Sequence, residues 1–458
     1  MLLFGHFVLI TGLALMIKSI FASSLLYLLA GIIIVLLSAN LILHKGIGSI
    51  DIFSPLFIAT MTFVVSCSVG AILYYNQLYF SENILNLSLL YIIIFTIFFM
   101  SGFLSPIGNI FSKNLPKLKS DFSRTKLKLV TVVFLPTGLF LFFFMMYRAG
   151  FANFFEVFKN LILFRKFWSQ QGYAYVVELS LFLIQAPFWG WILKRNNPIK
   201  LNMPLTIYLF LILTVTLLTG RRSSFLLIFI GMIFFYHCKV KMISPFKAFF
   251  LVTVFFIPLS AFYVIMGIYR VKGGEIDQLI QLTQNINLSV AALAFIRRFT
   301  VPMEGFTDIL LHSDRLNLLW GRSFYDMLFM PIPRAFMPEK PYLFSTQILW
   351  KIYPETKGKF FASGFSIMGE FYMNFHIAGL IIGGFIFGVI IKTMQKYYVA
   401  NKKNISFIFL YRQILFLPMG WISSGLINSE ANAFLILHLV FSSIFFILVW
   451  PKKKRISR

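Results

Sequence analysis

The residues able to do chemistry fall into a few short groups, and arginine recurs in them. Thr219-Gly220-Arg221-Arg222-Ser223-Ser224 lies between two apolar runs. Guanidinium groups hold phosphate in a bidentate fork, and arginine at membrane depth is costly unless an anion or a water-filled cavity meets it. Gly220 allows a tight turn, and the amides of Ser223 and Ser224 can open the next helix as an anion site. Arg221 and Arg222 are therefore candidate phosphate ligands, with snorkelling into headgroups as the plain alternative. Tyr269-Arg270-Val271-Lys272-Gly273-Gly274-Glu275-Ile276-Asp277 comes after a later apolar run. Arg270 there stands where a lipid phosphate would lie. Glu275 and Asp277 form an acid-x-acid pair of the kind that can hold a divalent cation, although a solvated turn explains it more simply.

Three further groups lie toward the C-terminal half. Phe295-Ile296-Arg297-Arg298-Phe299 precedes Glu304, Asp308 and His312. Spacing of i, i+4, i+8 puts these three titratable groups on one face of a helix. A carboxylate or imidazole facing an arginine pair suits proton transfer beside an anionic leaving group, and ordinary ion pairs on an exposed face are the alternative. Pro331-Ile332-Pro333-Arg334-Ala335-Phe336-Met337-Pro338-Glu339-Lys340-Pro341 carries four prolines. They forbid a regular helix and make a rigid frame presenting Arg334 and Lys340. Gly364-Phe365-Ser366-Ile367-Met368-Gly369-Glu370-Phe371-Tyr372-Met373-Asn374-Phe375 opens a long apolar run, with Glu370 expected near the outer end of that helix. A carboxylate buried there has a raised pKa and suits a general base. Gly379, Gly383, Gly384 and Gly388 come next, at a spacing that points to close helix packing. In the stretch 148–175, Arg148, Arg165, Lys166, Trp168, Gln170, Gln171 and Tyr173 mix cations, aromatic rings and amides, as a saccharide site would. An interfacial amphipathic helix fits the same stretch.

The elements that must position these groups are set by hydropathy. Hydrophobic residues make up 59% of the 458, and charged residues only 12%, against about 25% in soluble proteins. A spanning helix needs about 20 apolar residues. About twelve such runs are expected, at 2–17, 20–43, 52–75, 88–111, 129–147, 176–193, 203–218, 224–237, 245–267, 366–391, 405–424 and 431–449. The expected fold is an all-α polytopic membrane domain covering 1–458, with two long extracytoplasmic loops at 148–175 and 268–365. A soluble enzyme, a coiled coil and a disordered chain are excluded. Met1 to Ile17 is apolar at once, without the basic start of a cleavable signal, and reads as the first span. Cys67 and Cys238 have neither disulfide-framework nor zinc spacing.

The net charge of +26 suggests nucleic acid at first sight, but its distribution assigns it to membrane orientation. With both termini in the cytoplasm, 22 of the 41 basic residues fall on inner segments, whereas the short outer loops hold only Lys18, Arg221 and Arg222. That bias is the positive-inside pattern. The two long loops then lie outside. They hold 15 more basic residues, and 268–365 carries 8 of the 15 acidic residues. No internal repeat of the transporter kind is evident.

The proline–arginine–lysine segment, together with the later Gly369-Glu370-x-Tyr372-x-Asn374-Phe375, resembles the oligosaccharide repeat-unit polymerase family, the O-antigen polymerases of Wzy type. The Gly220-Arg221-Arg222-Ser223 turn is similar to an arginine turn in these polymerases and in O-antigen ligases. Long third and fifth outer loops also match. The resemblance implies a GT-C-like membrane architecture in the bacterial inner membrane. It implies transfer of a growing glycan from undecaprenyl diphosphate onto the next lipid-linked repeat unit, to build O-antigen or capsule-type polysaccharide. Arg221, Arg222 and Arg270 would bind diphosphate. Arg297, Arg298, Arg334, Lys340, Arg165 and Trp168 would hold glycan, and Glu370, Glu304 and His312 are the base candidates. No cofactor, metal or nucleic acid is expected. The expected partners are the lipid-linked glycan, membrane lipid, a chain-length regulator and a flippase. Two departures stand out. The family's arginine-x10-glycine pattern is missing, because the residues eleven beyond Arg148, Arg165, Arg270 and Arg297 are Lys159, Val176, Gln281 and Asp308. Where the family often has glycine after Asn-Phe, this chain has His376. An O-antigen ligase, a lipid-linked oligosaccharide flippase and a solute transporter remain as alternatives.

Overall fold

The structure is a computed structural model. It describes residues 2–22, 24–43, 51–116, 122–170, 173–220, 222–251, 254, 260–261, 265, 288–329, 332, 336–357, 364–425 and 430–450. Among them there are helices and no strand, as expected where lipid offers the backbone no hydrogen-bond partner. In chain order they are α1 (Leu2–Ala22), α2 (Leu25–Leu43), α3 (Pro55–Asn76), α4 (Glu82–Leu104), α5 (Ile107–Asn114), α6 (Arg124–Arg148), α7 (Phe154–Lys159), α8 (Leu161–Gln170) and α9 (Ala174–Leu193). Then come α10 (Met203–Leu218), α11 (Arg222–Lys239), α12 (Leu288–Leu311), α13 (Arg322–Met327), α14 (Phe344–Ile352), α15 (Ser366–Asn401), α16 (Ile405–Ile414), α17 (Leu417–Ser424) and α18 (Glu430–Val449).

The chain is a multi-pass membrane protein. Eight helices among the described residues are long and apolar enough to cross a bilayer: α1, α2, α3, α4, α6, α9, α15 and the α16–α17 pair. Shorter apolar helices lie in α10, α11 and α18. The run expected at 245–267 falls largely outside the described residues. The fourth run is shifted from 88–111. Its helix begins at Glu82 and stops at Leu104, because Ser105 before Pro106 takes an extended ψ of 150°. Large apolar side chains face outward along the spans, Phe21, Val132 and Phe140 among them.

Two buried apolar clusters organise the bundle. One joins α1, α2, α3, α4, α12, α14, α15 and α17. The other joins α6, α8, α9, α10, α11, α16 and α18. Both α3 and α15 feed the two clusters: Phe63 and Ile391 pack in the first, Ile58 and Tyr398 in the second. At the start of α3, the buried Asp51 fastens this joint. Its two carboxylate oxygens each accept from the Tyr398 hydroxyl at 2.9 Å, and Oδ1 accepts from the Phe53 amide at 3.0 Å. Lys402 Nζ stands 3.7 Å away and His237 Nε2 3.5 Å away. The Ile243 amide donates to His237 Nδ1, so in the neutral ring the proton sits on Nε2, toward Asp51.

Glycines let α4 and α15 touch backbone to backbone. A Cβ on Gly102 would stand 2.0 Å from Phe385 O, one on Gly388 2.1 Å from Phe99 O, and one on Gly384 2.5 Å from Phe95 O. The small-residue spacing thus has the packing role expected for it. Gly379 and Gly383 serve a different contact. Their Cβ atoms would meet Phe371 of the same helix, at 1.9 Å from its carbonyl oxygen and 2.3 Å from its ring. Residues eight apart in a straight helix lie about 12 Å apart, so 366–374 doubles back on the part of α15 beyond it. The break is at Phe375 (φ −142°, ψ 19°) and His376 (φ 56°, ψ −140°). Tyr372 steadies it: its hydroxyl lies 2.8 Å from His376 Nε2, with ring centroids 4.6 Å apart. Glu370 therefore belongs to a short folded-back helix, not to the outer end of the spanning one. A π-helical stretch, Val64–Val69, widens α3 where α12 crosses it.

Replacing Gly388 by Val should lower the unfolding temperature of the purified protein markedly, since overpacking costs about 1–3 kcal/mol even where side chains alone must move. Gly420 has nothing within 4 Å of its would-be Cβ. Gly420→Ala should be neutral or raise stability by up to about 1 kcal/mol. Thermal unfolding in detergent compares the two.

Candidate functional site

The titratable face expected at 304, 308 and 312 exists, and a helix builds it. Glu304 and Asp308 lie one turn apart on α12, and His312 sits just past its last turn. The α12 helix packs across the Asn76 end of α3, fitted there by Gly70, whose would-be Cβ lies 3.1 Å from Thr300 and Met303. This brings two tyrosines onto Glu304. Tyr74 OH donates to Oε2 at 2.7 Å and Tyr79 OH to Oε1 at 3.2 Å. Arg297 Nη2 adds a third donor to Oε1 at 3.3 Å, and its guanidinium lies 4.8 Å from the Tyr79 ring centroid. Thr300 Oγ1 completes the shell by donating to Tyr74 OH at 3.1 Å.

Asp308 is placed differently. It is only 7% exposed and accepts from Tyr353 OH at 3.3 Å. Burial first, and the neighbouring Glu304 charge second, push its carboxyl up to about 6, against the opposing pull of His312 and Tyr353. The Tyr353 hydroxyl is pushed up to about 12 by burial and by Asp308. The Tyr79 hydroxyl is raised by burial, Glu304 and Asp308. For Arg297, burial works against the charge, but Glu304 and the tyrosines outweigh it and hold the guanidinium above its ordinary value. His312 Nδ1 lies 3.0 Å from the Asp308 carbonyl oxygen, and its ring meets Tyr353 edge-on. The cluster thus pairs a carboxyl poised near neutrality with a guanidinium held by a second carboxylate. Asp308 shares the titratable face read from the sequence but is not among the base candidates, Glu370, Glu304 and His312, named with the resemblance. Its like-charge neighbour one turn away is the signal that could have found it.

Glu370 stands apart from this cluster. It is fully buried, and its Oε1 accepts from Ser323 Oγ at 3.4 Å. Asn374 Nδ2 donates to Ser323 Oγ and to the Glu370 carbonyl, both at 2.8 Å, while its Oδ1 accepts from the Gly321 amide at 2.9 Å. These bonds tie the Trp320–Gly321 turn, at φ 48° and 85°, to the folded-back helix. The Gly-Glu-x-Tyr-x-Asn-Phe segment is thus an anchor for the long polar segment. Asp326 extends the anchorage, accepting from Gln347 Nε2 at 3.1 Å.

The remaining expected site residues have separate placements. Lys340 is 9% exposed, and its ammonium donates to the Ile332 carbonyl at 2.9 Å, folding the proline-rich segment onto itself. Arg165 on α8 packs against Gly220, whose would-be Cβ lies 3.7 Å from Arg165 Cδ. Gly220 makes the expected turn at φ 69°. The stretch 148–175 therefore meets the Gly220 turn. Trp168 corrects an expectation. Its indole is 3% exposed within the second apolar cluster, so it anchors α8 and offers no face for sugar stacking. Arg221, Arg270 and Arg334, with Glu275 and Asp277, lie outside the described residues, as do the side chains of Arg222 and Arg298. Among the described residues, no three His, Cys, Asp or Glu side chains are grouped as a metal would require.

Comparison with family models, with characterised proteins and with solved structures finds no match to this chain.

Because the folded protein raises the Asp308 carboxyl from 3.8 to about 6, it favours the protonated form. That contribution is complete below about pH 4 and is lost as pH rises through 6. Asp308→Asn should therefore raise the unfolding temperature at pH 7.5, by an amount equivalent to about 2–3 kcal/mol. The gain should fade toward pH 4, which unfolding scans across that range would measure.

Proposed function

We propose that this chain is a glycosyltransferase of the repeat-unit polymerase type with a GT-C-like arrangement. It acts on undecaprenyl-diphosphate-linked glycan at the outer face of the bacterial inner membrane, with both termini in the cytoplasm. The observation that carries the reading is the cluster at the end of α3 and α12. There the buried Asp308, a carboxyl of raised basicity, neighbours the Arg297–Glu304 pair. Polymerisation needs a base for a sugar hydroxyl and cations for a departing diphosphate. In this mechanism the acceptor hydroxyl gives its proton to Asp308 as its oxygen bonds the anomeric carbon of the donor glycan. The bond from that carbon to the diphosphate oxygen breaks, and its electron pair leaves with undecaprenyl diphosphate. Arg297 meets the developing charge, joined by Arg221, Arg222 and Arg270. Glu304 orients Arg297, and Glu370 and Asn374 position the segment around the site. Arg165, Arg298 and Arg334 hold the glycan, Lys340 closes the proline-rich segment that carries Arg334, and His312 relays the proton onward.

Two further observations support the reading. Arg165 packs against the Gly220 turn, which draws one long loop to the turn between α10 and α11. His376 has φ 56°, a conformation that suits glycine, at the position where the polymerases it resembles often carry glycine.

A second reading, a lipid-linked oligosaccharide flippase, draws on charges inside the bundle. Arg412 lies over the Trp189 ring, 4.0 Å from its centroid, and Glu178 pairs with His438 at 3.3 Å. Ionisable groups at such depth mark substrate paths in transporters.

Complementation of a gene-deleted strain separates the readings. Asp308→Asn should reduce glycans longer than one repeat by at least about 100-fold, the usual worth of a general base. Arg297→Ala and Arg222→Ala should likewise insert normally and leave single repeats. Under the proposal those repeats are exposed on the outer leaflet. A flippase defect would trap them on the inner leaflet, and a ligase defect would leave long chains on the lipid carrier. Normal long chains from Asp308→Asn would overturn the assignment of the base, and normal chains from all three variants the assignment of the enzyme.

A further inference from the structure

At the opposite end of the bundle, an open surface cleft of about 380 Å³ lies between the start of α6 and the segment after α9. Its lining is Arg124, Lys194, Arg195, Asn196, Asn197 and Lys200. Four cations and two amides converge there, and among the described residues no carboxylate lines it. Orientation in a bilayer accounts for basic residues beside span ends, but not for their convergence on one concavity, where like charges repel.

The framework of the cavity is fixed by bonds to the backbone around it. The Lys239 ammonium donates to the Leu193 and Arg195 carbonyls, and the Lys194 amide to the Gly190 and Trp191 carbonyls at 3.2 Å. These contacts occupy acceptors that would otherwise compete for the cations. Asn197 Oδ1 accepts from the Ile199 amide at 3.0 Å, which leaves its Nδ2 to donate to a ligand. On the α6 side, the Ser123 amide donates to the Val449 carbonyl at 2.9 Å. Arg124 is the first residue of α6, so the positive end of a 25-residue helix adds to the field. Depth is set by the same residues. Arg124 opens one candidate span and Lys194 directly succeeds another that ends at Leu193, which puts the cavity at headgroup level.

We propose that this cavity is a binding site for a phosphate ester, separate from the transfer site and independent of the function proposed above. Guanidinium forks, ammonium groups and amide donors together match the oxygens of a phosphate. The volume suits a group the size of a glycerophosphate headgroup. The phosphate comes either from an anionic phospholipid of the surrounding leaflet or from a soluble phosphate compound.

The full-length protein in nanodiscs distinguishes these sources. Unfolding temperature is measured in phosphatidylcholine discs, in the same discs with inorganic phosphate, and in discs containing phosphatidylglycerol. Arg195→Gln/Lys200→Gln removes two cavity cations, and Arg124→Gln is a milder second variant on the other wall. Lys113→Gln/Lys403→Gln removes equal charge outside the cavity lining. Phosphatidylglycerol should raise the unfolding temperature of the parent and of the Lys113/Lys403 protein by roughly 5 °C. Both cavity variants should lose most of that rise. The same pattern with inorganic phosphate, and not with phosphatidylglycerol, assigns the site to a soluble phosphate compound. The proposal is overturned if neither ligand shifts the parent, if the cavity variants keep the shift, or if the Lys113/Lys403 protein loses it equally.

Discussion

A carboxylate at the joint between two apolar clusters governs how the bundle holds together. Asp51 is 3% exposed, and burying such a charge costs several kcal/mol unless bonds replace its water. Its replacements come from α11, α15 and the turn into α3, and they include a hydroxyl, an amide, an imidazole and an ammonium. Tyr411 extends the set to α16 by donating to the Phe53 carbonyl at 2.7 Å. Hydrophobic packing alone would let the two clusters slide, because lipid tails are as apolar as the helix faces. A directional knot does not slide. Everything at the far end of α3, including the tyrosines on Glu304, inherits its height and rotation from this fixed start.

How much of the fold and site is legible in the sequence depends on which forces act locally. The apolar runs predict the helices because length and hydropathy are properties of one segment. The spacing of Gly384 and Gly388 predicts close packing for the same reason. The 304–308–312 face is visible because helical periodicity fixes it. The roles within that face are not. Tyr74 and Tyr79 lie more than two hundred residues from Glu304 in the chain, and only the packing of α12 on α3 decides that Glu304 is saturated with donors while Asp308 is desolvated. Glu370 illustrates the same limit. A buried acid at a helix start looks like a base until its partners, Ser323 and Asn374, prove to be anchors. Hydropathy also cannot see the break at His376, because a helix that doubles back is as apolar as one that continues.

The long polar segment after α11 is therefore not a loose covering. Its helix α12 is wedged against α3 and α15, its Gly321 turn is bonded to Asn374, and its proline-rich part is closed by Lys340. A site assembled from distant stretches must hold its groups to within about half an ångström to be useful. The polar bonds of Asn374, Gln347 and Lys340 add direction to the apolar packing that Phe306, Ile309, Phe344 and Ile348 supply in the first cluster. The stretch containing Arg165 adds a second arm, seated by Trp168 in the other apolar cluster.

The π-helical stretch in α3 carries a consequence for how such a chain changes over time. Each such widening is equivalent to one inserted residue absorbed within a helix. Losing a single residue from Val64–Val69 would let the stretch close to a regular helix with the turns on either side still in phase. A single deletion elsewhere in α3 would instead rotate the part beyond it by about 100°, carrying Tyr74 away from Glu304 while Asp51 still pins the start. Changes of one residue in length are thus absorbed in this short stretch and not on either side of it, where the tyrosine–carboxylate arrangement depends on phase.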